Sequence, residues 1–215
     1  MIHPKGIGIE DFRHRIQTGE PFDFSKWGDG EFNAIFQDTK SGCNCDGHQY
    51  FPEMGERLLN ILKSNPSYDI GLQNLAYTQR PDQIESLSEE YGLVWCGADV
   101  LHRASIKGQF QALLDDLKKR DVVLVGPTHL ARLAGLNEWG LVAIPAKDCW
   151  KDYEHIKGVL EKLIEPDTVV MYCCSMMSGI LIDDFHGQAT QIDMGSVLDP
   201  YAGKQSRLYH RKLEI

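Results

Sequence analysis

The second half of the chain switches repeatedly between short apolar runs and helical periodicity. Asp121 to Gly126 and Leu141 to Pro145 are two apolar runs rich in β-branched residues, Asp167 to Cys174 is a third, and Thr190 to Gly195 a fourth. All but the last lack strict alternation, the pattern of strands buried on both faces of a parallel sheet. Phe110, Leu113, Leu114 and Leu117 recur at helical spacing before the first run, and Tyr153, Ile156, Leu160 and Leu163 do so before Pro166. Ser178 to Phe185 predicts a short helix between the last two strands. The first half is less regular. Phe22 to Trp27 predicts a strand, followed by a turn and a helix from about Glu31. Met54, Leu58, Leu59 and Leu62 mark an amphipathic helix closed before Asn65-Pro66, and Tyr68 to Leu75 and Leu93 to Cys96 read as strands. Gln79 to Tyr91 is polar and predicts an exposed helix or lid. Such strand–helix alternation implies a layered α/β fold, its sheet mostly parallel and its crossovers right-handed.

Composition narrows the class. With 215 residues, 42% hydrophobic and 25% charged, the chain suits one domain over 1–215 rather than a disordered or fibrous protein. Lys+Arg 22 against Asp+Glu 31 leaves a net charge of −9, which repels phosphate backbones and disfavours a protein that coats nucleic acid. No apolar run approaches the roughly 20 residues of a membrane span. Met1 to Gly19 has no signal-peptide core, so a soluble, cytoplasmic protein is expected. Cys96, Cys149, Cys173 and Cys174 lie in apolar surroundings and read as buried thiols. Cys43-Asn44-Cys45-Asp46-Gly47-His48 looks like half a zinc site, but no second ligand pair follows at matching spacing.

The sharpest local signal is Lys26-Trp27-Gly28-Asp29-Gly30-Glu31-Phe32. Two glycines bracket an aspartate and a glutamate follows at i+2, so the backbone can approach a ligand while two carboxylates point into one site. Hard divalent cations such as Mg²⁺ and Mn²⁺ take those oxygens together with substrate phosphates. The same residues also suit a surface turn with a solvated glutamate.

Phe24 to Phe32 resembles the N-terminal signature of the GT-D fold glycosyltransferases, an aromatic residue and two glycines around a D-x-E motif. Val123 to Leu130 is similar to that family's nucleotide-side strand and loop, and Ile144 to Tyr153 to its following strand and helix entry. Gln191-Ile192-Asp193-Met194-Gly195-Ser196-Val197-Leu198-Asp199 resembles its closing acidic element. The likeness runs in order from Phe22 to Asp199. It departs at Ser196, where the family usually has histidine, at one extra residue before Asp199, and at Lys26, where arginine is usual and bidentate geometry is lost. What the resemblance implies is a Rossmann-like layered sheet of GT-D type and a metal-dependent glycosyltransferase. Its donor would be a nucleotide-sugar, a UDP-sugar by preference. Asp29 and Glu31 would hold Mn²⁺ or Mg²⁺, and the cation would stabilise charge on the departing diphosphate.

Ligands of open α/β sheets sit beyond the carboxyl ends of the strands. Gly28, the loop of Gly126, Thr128 and His129, and the loop of Ser175 and Ser178 are therefore candidates for the donor's phosphate or ribose, with Lys147 as a source of positive charge. His129 is equally a packing residue. Asp193 is a candidate general base and, equally, a strand-end cap. Asp46 and His48 are weaker base candidates, His48 suiting an exposed turn as well. Arg103 suits a phosphate contact or a surface ion pair, and the basic run Lys204 to Lys212 a solvated tail. The acceptor is open: a glycan, a glycoprotein, a small molecule or a modified nucleobase. Two rival classes remain, a metal-dependent phosphohydrolase and a non-catalytic nucleotide-binding protein on the same scaffold.

Overall fold

The computed structural model describes residues 1–38, 42–44 and 47–213. Among these, seven strands make one sheet: β1 Asp23–Trp27, β2 Asp69–Leu72, β3 Trp95–Gly97, β4 Val122–Pro127, β5 Gly140–Ile144, β6 Val169–Tyr172 and β7 Thr190–Asp193. Their order is β3-β2-β1-β7-β6-β4-β5. Every pairing is parallel, so the expected mostly parallel sheet is parallel throughout.

The strand side chains alternate between two apolar layers. Val122 and Leu124, Val169 and Met171, and Ile192 face one layer, where α1 (Ile9–Thr18), α6 (Val100–Ile106), α7 (Phe110–Leu117) and α8 (Ala131–Leu136) pack. Val123 and Val125, Val170 and Tyr172, and Trp27 face the other. There α2 (Asp29–Ile35), α3 (Pro52–Lys63), α5 (Pro81–Tyr91), α9 (Tyr153–Leu160) and α10 (Met177–Asp184) cover the sheet. Burial on both faces is why these strands read as continuous apolar runs. Each fully buried Leu, Ile or Val side chain contributes roughly 1.5–3 kcal/mol.

Three parts depart from the sequence expectation. Gln79 to Tyr91 takes the helix of its two readings but is not fully exposed: α4 (Asn74–Gln79) and α5 abut at Arg80, and α5 buries Ile84 and Leu87. Trp95 donates its indole N–H to Ser88 at 2.8 Å, fastening α5 to β3. The helices α1, α6 and α8 were not predicted. In α1 the buried Ile9, Phe12 and Ile16 form a narrow stripe diluted by charge, and Asp11 accepts the Gly8 N–H at 2.6 Å. The run Lys204 to Lys212 does not float as a solvated tail. Tyr209 stacks on His102 of α6 with ring centroids 4.3 Å apart, and His210 is 1% exposed.

The helix that carries the D-x-E motif is set by close packing. A Cβ at Gly55 of α3 would lie 2.5 Å from the carbonyl oxygen of Ala34 in α2, so glycine lets the two backbones approach. Gly55→Ala is therefore expected to destabilise the fold by about 1–3 kcal/mol through overpacking. A fall in the urea midpoint without a change in slope would register it.

Candidate active site

The carboxyl end of the sheet has a break in winding direction between β1 and β7. From β1 the chain adds β2 and then β3 on one side, while β7, β6, β4 and β5 lie on the other. Crevices at such switch points are where ligands of open α/β sheets bind. The carboxyl ends meeting there belong to the two segments with the acidic motifs: Asp29 and Glu31 directly after β1, and Asp193 at the end of β7.

The Gly-Asp-Gly-Glu run begins a helix rather than a surface turn. Gly28 is the extended residue before α2, and Glu31 reaches back to accept its N–H at 2.8 Å. The bond engages Oε2 of Glu31 and holds the side chain at the head of the helix. Gly28 thus orients the glutamate with its N–H. A Cβ there would meet Oε1 of Gln73, at the end of β2, at 2.3 Å.

Glu31 is pushed up to about 7 from an ordinary 4.5. Burial is the main cause, opposed by the backbone hydrogen bonds and reinforced by the charges of Asp193 and Asp29. Asp193, 4% exposed, is also raised by burial, with the Lys26 ammonium pulling the other way. Both its oxygens hold backbone: Oδ1 accepts from Gly195 at 2.9 Å and Oδ2 from Lys26 at 3.3 Å. Of the two readings of Asp193, the strand-end cap is the one this geometry supports. The Lys26 side chain runs over Gly195, where a Cβ would lie 2.5 Å from Nζ and where φ is +55°.

A hard cation fits this donor set. Glu31 holds its proton chiefly because burial penalises the charged form, with Asp193 and Asp29 adding repulsion that a divalent ion would relieve. Among the described residues no group of three His, Cys, Asp or Glu side chains gathers around one point. Two carboxylates completed by substrate phosphates is the usual arrangement for Mg²⁺ at a nucleotide, not for a resident structural ion.

The other candidate residues fare unequally. Ser178 is fully buried and its hydroxyl accepts the Cys174 N–H at 3.2 Å, so it cannot reach a donor. Gly126 lies inside β4, and its missing Cβ leaves room for Leu130 and Cys173 rather than for a ligand. Thr128 is exposed in a 3₁₀ turn beyond β4. His129 beside it holds Asp199 at 2.7 Å through Nε2. Ser175, at φ +54°, accepts from Asn44 at 2.9 Å beyond β6. Lys147 is exposed and crosses Gly47. Asp46 and Cys45 lie outside the described residues. His48 is buried, and its Nδ1 accepts the Asp148 N–H at 3.1 Å, a tie between loops rather than an exposed turn. The thiols of Cys96 and Cys149 are buried and pushed up to about 12 by desolvation, which leaves them inert.

A cavity of about 680 Å³ opens over the carboxyl ends of β2 and β3, lined by Leu72, Gly97, Asp99, Val100, Arg103 and Lys107 among others. Sequence reasoning reached only Arg103 of this set, whose guanidinium is 68% exposed and stands 3.8 Å from Asp99. The remaining lining residues, which include Lys5, Glu10, Asp99 and Lys107, come from separate segments and form no motif along the chain.

The fold is an all-parallel layered sheet with acidic residues at its β1/β7 switch. Solved structures of the domain of unknown function 1792 share it. One, described as having a distinct glycosyltransferase fold, matches with a TM-score of 0.65 at 19% identity, over 92% of this chain and 80% of that one. Another, described as a new glycosyltransferase from Streptococcus sanguinis, matches with a TM-score of 0.69 at 15% identity, over 93% of this chain and 84% of that one. No family model and no curated protein matches this sequence.

The raised Glu31 carboxyl makes stability depend on pH in a defined direction. The folded state holds this proton more tightly than the unfolded chain, so Glu31's contribution is full below about 4.5 and is lost as pH rises to about 7. Glu31→Gln should gain on the wild type between pH 5 and pH 8 by on the order of 1–3 kcal/mol. Urea unfolding of both proteins at the two pH values measures the difference.

Proposed function

We propose that this chain is a glycosyltransferase that moves a sugar from a nucleotide-sugar, with a UDP-sugar as the preferred donor. The observation that carries the reading is the acidic cluster at the β1/β7 switch point, on a fold shared with proteins described as glycosyltransferases. Asp29 and Glu31 would hold Mn²⁺ or Mg²⁺. Such an ion, when bound, neutralises negative charge that develops on a departing diphosphate.

The chain's own groups set up the rest. The Gly28 N–H fixes one oxygen of Glu31, so the other is directed without cost of ordering at the moment of reaction. Glu31 would have to give up its proton to hold a cation, so occupancy would grow as pH approaches 7. Lys26 partly offsets the charge of the buried Asp193 beside the motif. The acceptor takes the cavity over β2 and β3, whose Arg103 and Lys107 suit an acceptor with an acidic group.

Two measurements test this reading. Hydrolysis or transfer of UDP, GDP, TDP and CMP sugars is followed with and without Mn²⁺. Asp29→Ala and Glu31→Ala should each fold and lose about 10²-fold or more in turnover; unchanged turnover would overturn the assignment. A Cβ at Gly97 meets nothing within 4 Å, so Gly97→Leu fills the cavity without displacing the core. It should slow transfer while sparing hydrolysis of the donor by water, and equal loss of both would move the acceptor elsewhere.

A further inference from the structure

At the opposite edge of the sheet, the amino ends of β1, β2 and β7 bring together a serine, a histidine and an aspartate. Ser67 precedes β2, His186 lies in the loop before β7, and Asp23 opens β1. The Ser67 hydroxyl is 3.0 Å from His186 Nε2, and His186 Nδ1 is 2.5 Å from Asp23 Oδ2. The linkage runs hydroxyl to Nε2, then Nδ1 to carboxylate, the order needed for a base to act on a nucleophile.

The burial gradient along this chain of groups matches those roles. Ser67 is exposed, the His186 side chain is 43% exposed, and that of Asp23 is 3% exposed. Asp23 is fixed by two further donors, the Gly187 N–H at 3.2 Å and the Gln191 amide at 3.1 Å. Gln191 is held in turn by Tyr172 at 2.9 Å. A carboxylate so anchored keeps a proton on Nδ1 and leaves Nε2 as an acceptor for the serine proton. The imidazole is steadied by Tyr68, whose ring centroid is 5.0 Å away. A cavity of about 320 Å³ adjoins the three residues; Lys5, Arg15 and Asp69 also line it, and Arg15 is paired with Asp69 at 2.9 Å.

We propose that Ser67, His186 and Asp23 form a second site that hydrolyses small acyl esters carrying negative charge. His186 Nε2 takes the Ser67 proton as the serine oxygen bonds to the ester carbonyl carbon. The tetrahedral adduct then collapses, the bond to the alcohol oxygen breaks, and the imidazolium returns the proton to that oxygen. Water attacks the acyl-serine by the same route and releases the acid, so ester and water give acid and alcohol. The ammonium of Lys5 in the same cavity supplies positive charge for the oxyanion and selects an anionic acyl group, while the Arg15 guanidinium is taken by Asp69.

The test uses the intact chain, a fluorophosphonate probe and p-nitrophenyl hemisuccinate. The expected result is phosphonylation of Ser67, located by peptide mapping, with ester turnover abolished in Ser67→Ala. His186→Ala, a substitution at an exposed ring, should slow both reactions at least ~10²-fold. Mn²⁺-dependent turnover of the nucleotide-sugar should be unchanged in both variants, so the two sites fail or stand separately. No labelling, labelling at another residue, or labelling indifferent to His186 would overturn the proposal.

Discussion

The candidate active site depends on one constraint: the ends of two paired parallel strands carry acidic residues whose charges act on one another. Asp29 and Glu31 follow β1 and Asp193 ends β7, so the pairing of those strands brings the charges together. Repulsion in poorly hydrated surroundings would push them apart or neutralise them. The fold answers with backbone N–H groups on Glu31 and Asp193 and with a lysine beneath. Glu31 still keeps its proton to about 7. A divalent ion bound there, as proposed, would compensate this charge.

The same strand serves both edges of the sheet. Asp23 begins β1 and orients His186, whereas Asp29 follows its end at the D-x-E motif. Burial of Phe24 and Trp27 on opposite faces locks β1 between the two apolar layers. Polar groups at its two ends can therefore be held in fixed geometry without a rigid loop.

The α/β class and the strand positions were legible because strands buried on both sides leave uninterrupted apolar runs. The D-x-E motif was legible as chemistry but not as geometry: Glu31 reaching back to Gly28 is a local bond that the residue spacing only permits. Helices α1 and α6 escaped notice because charged residues dilute their apolar stripes. Ser178 and Gly126 looked like ligand contacts because they follow or end strands, yet burial depth, invisible in a local window, turns both into packing residues. The Ser67, His186 and Asp23 arrangement had no local signature, since 163 positions separate Asp23 from His186 and only β1–β7 pairing unites them.

Lys26 has a consequence for how the pocket meets its surroundings. Its ammonium is tethered through β1 and lies over Gly195, a glycine in the left-handed region that leaves the space open. A counterion supplied covalently does not exchange with bulk electrolyte, even where, as for the half-buried Lys26, the solvent can still screen it. The protein thereby carries a fixed share of its own ionic atmosphere at the crevice.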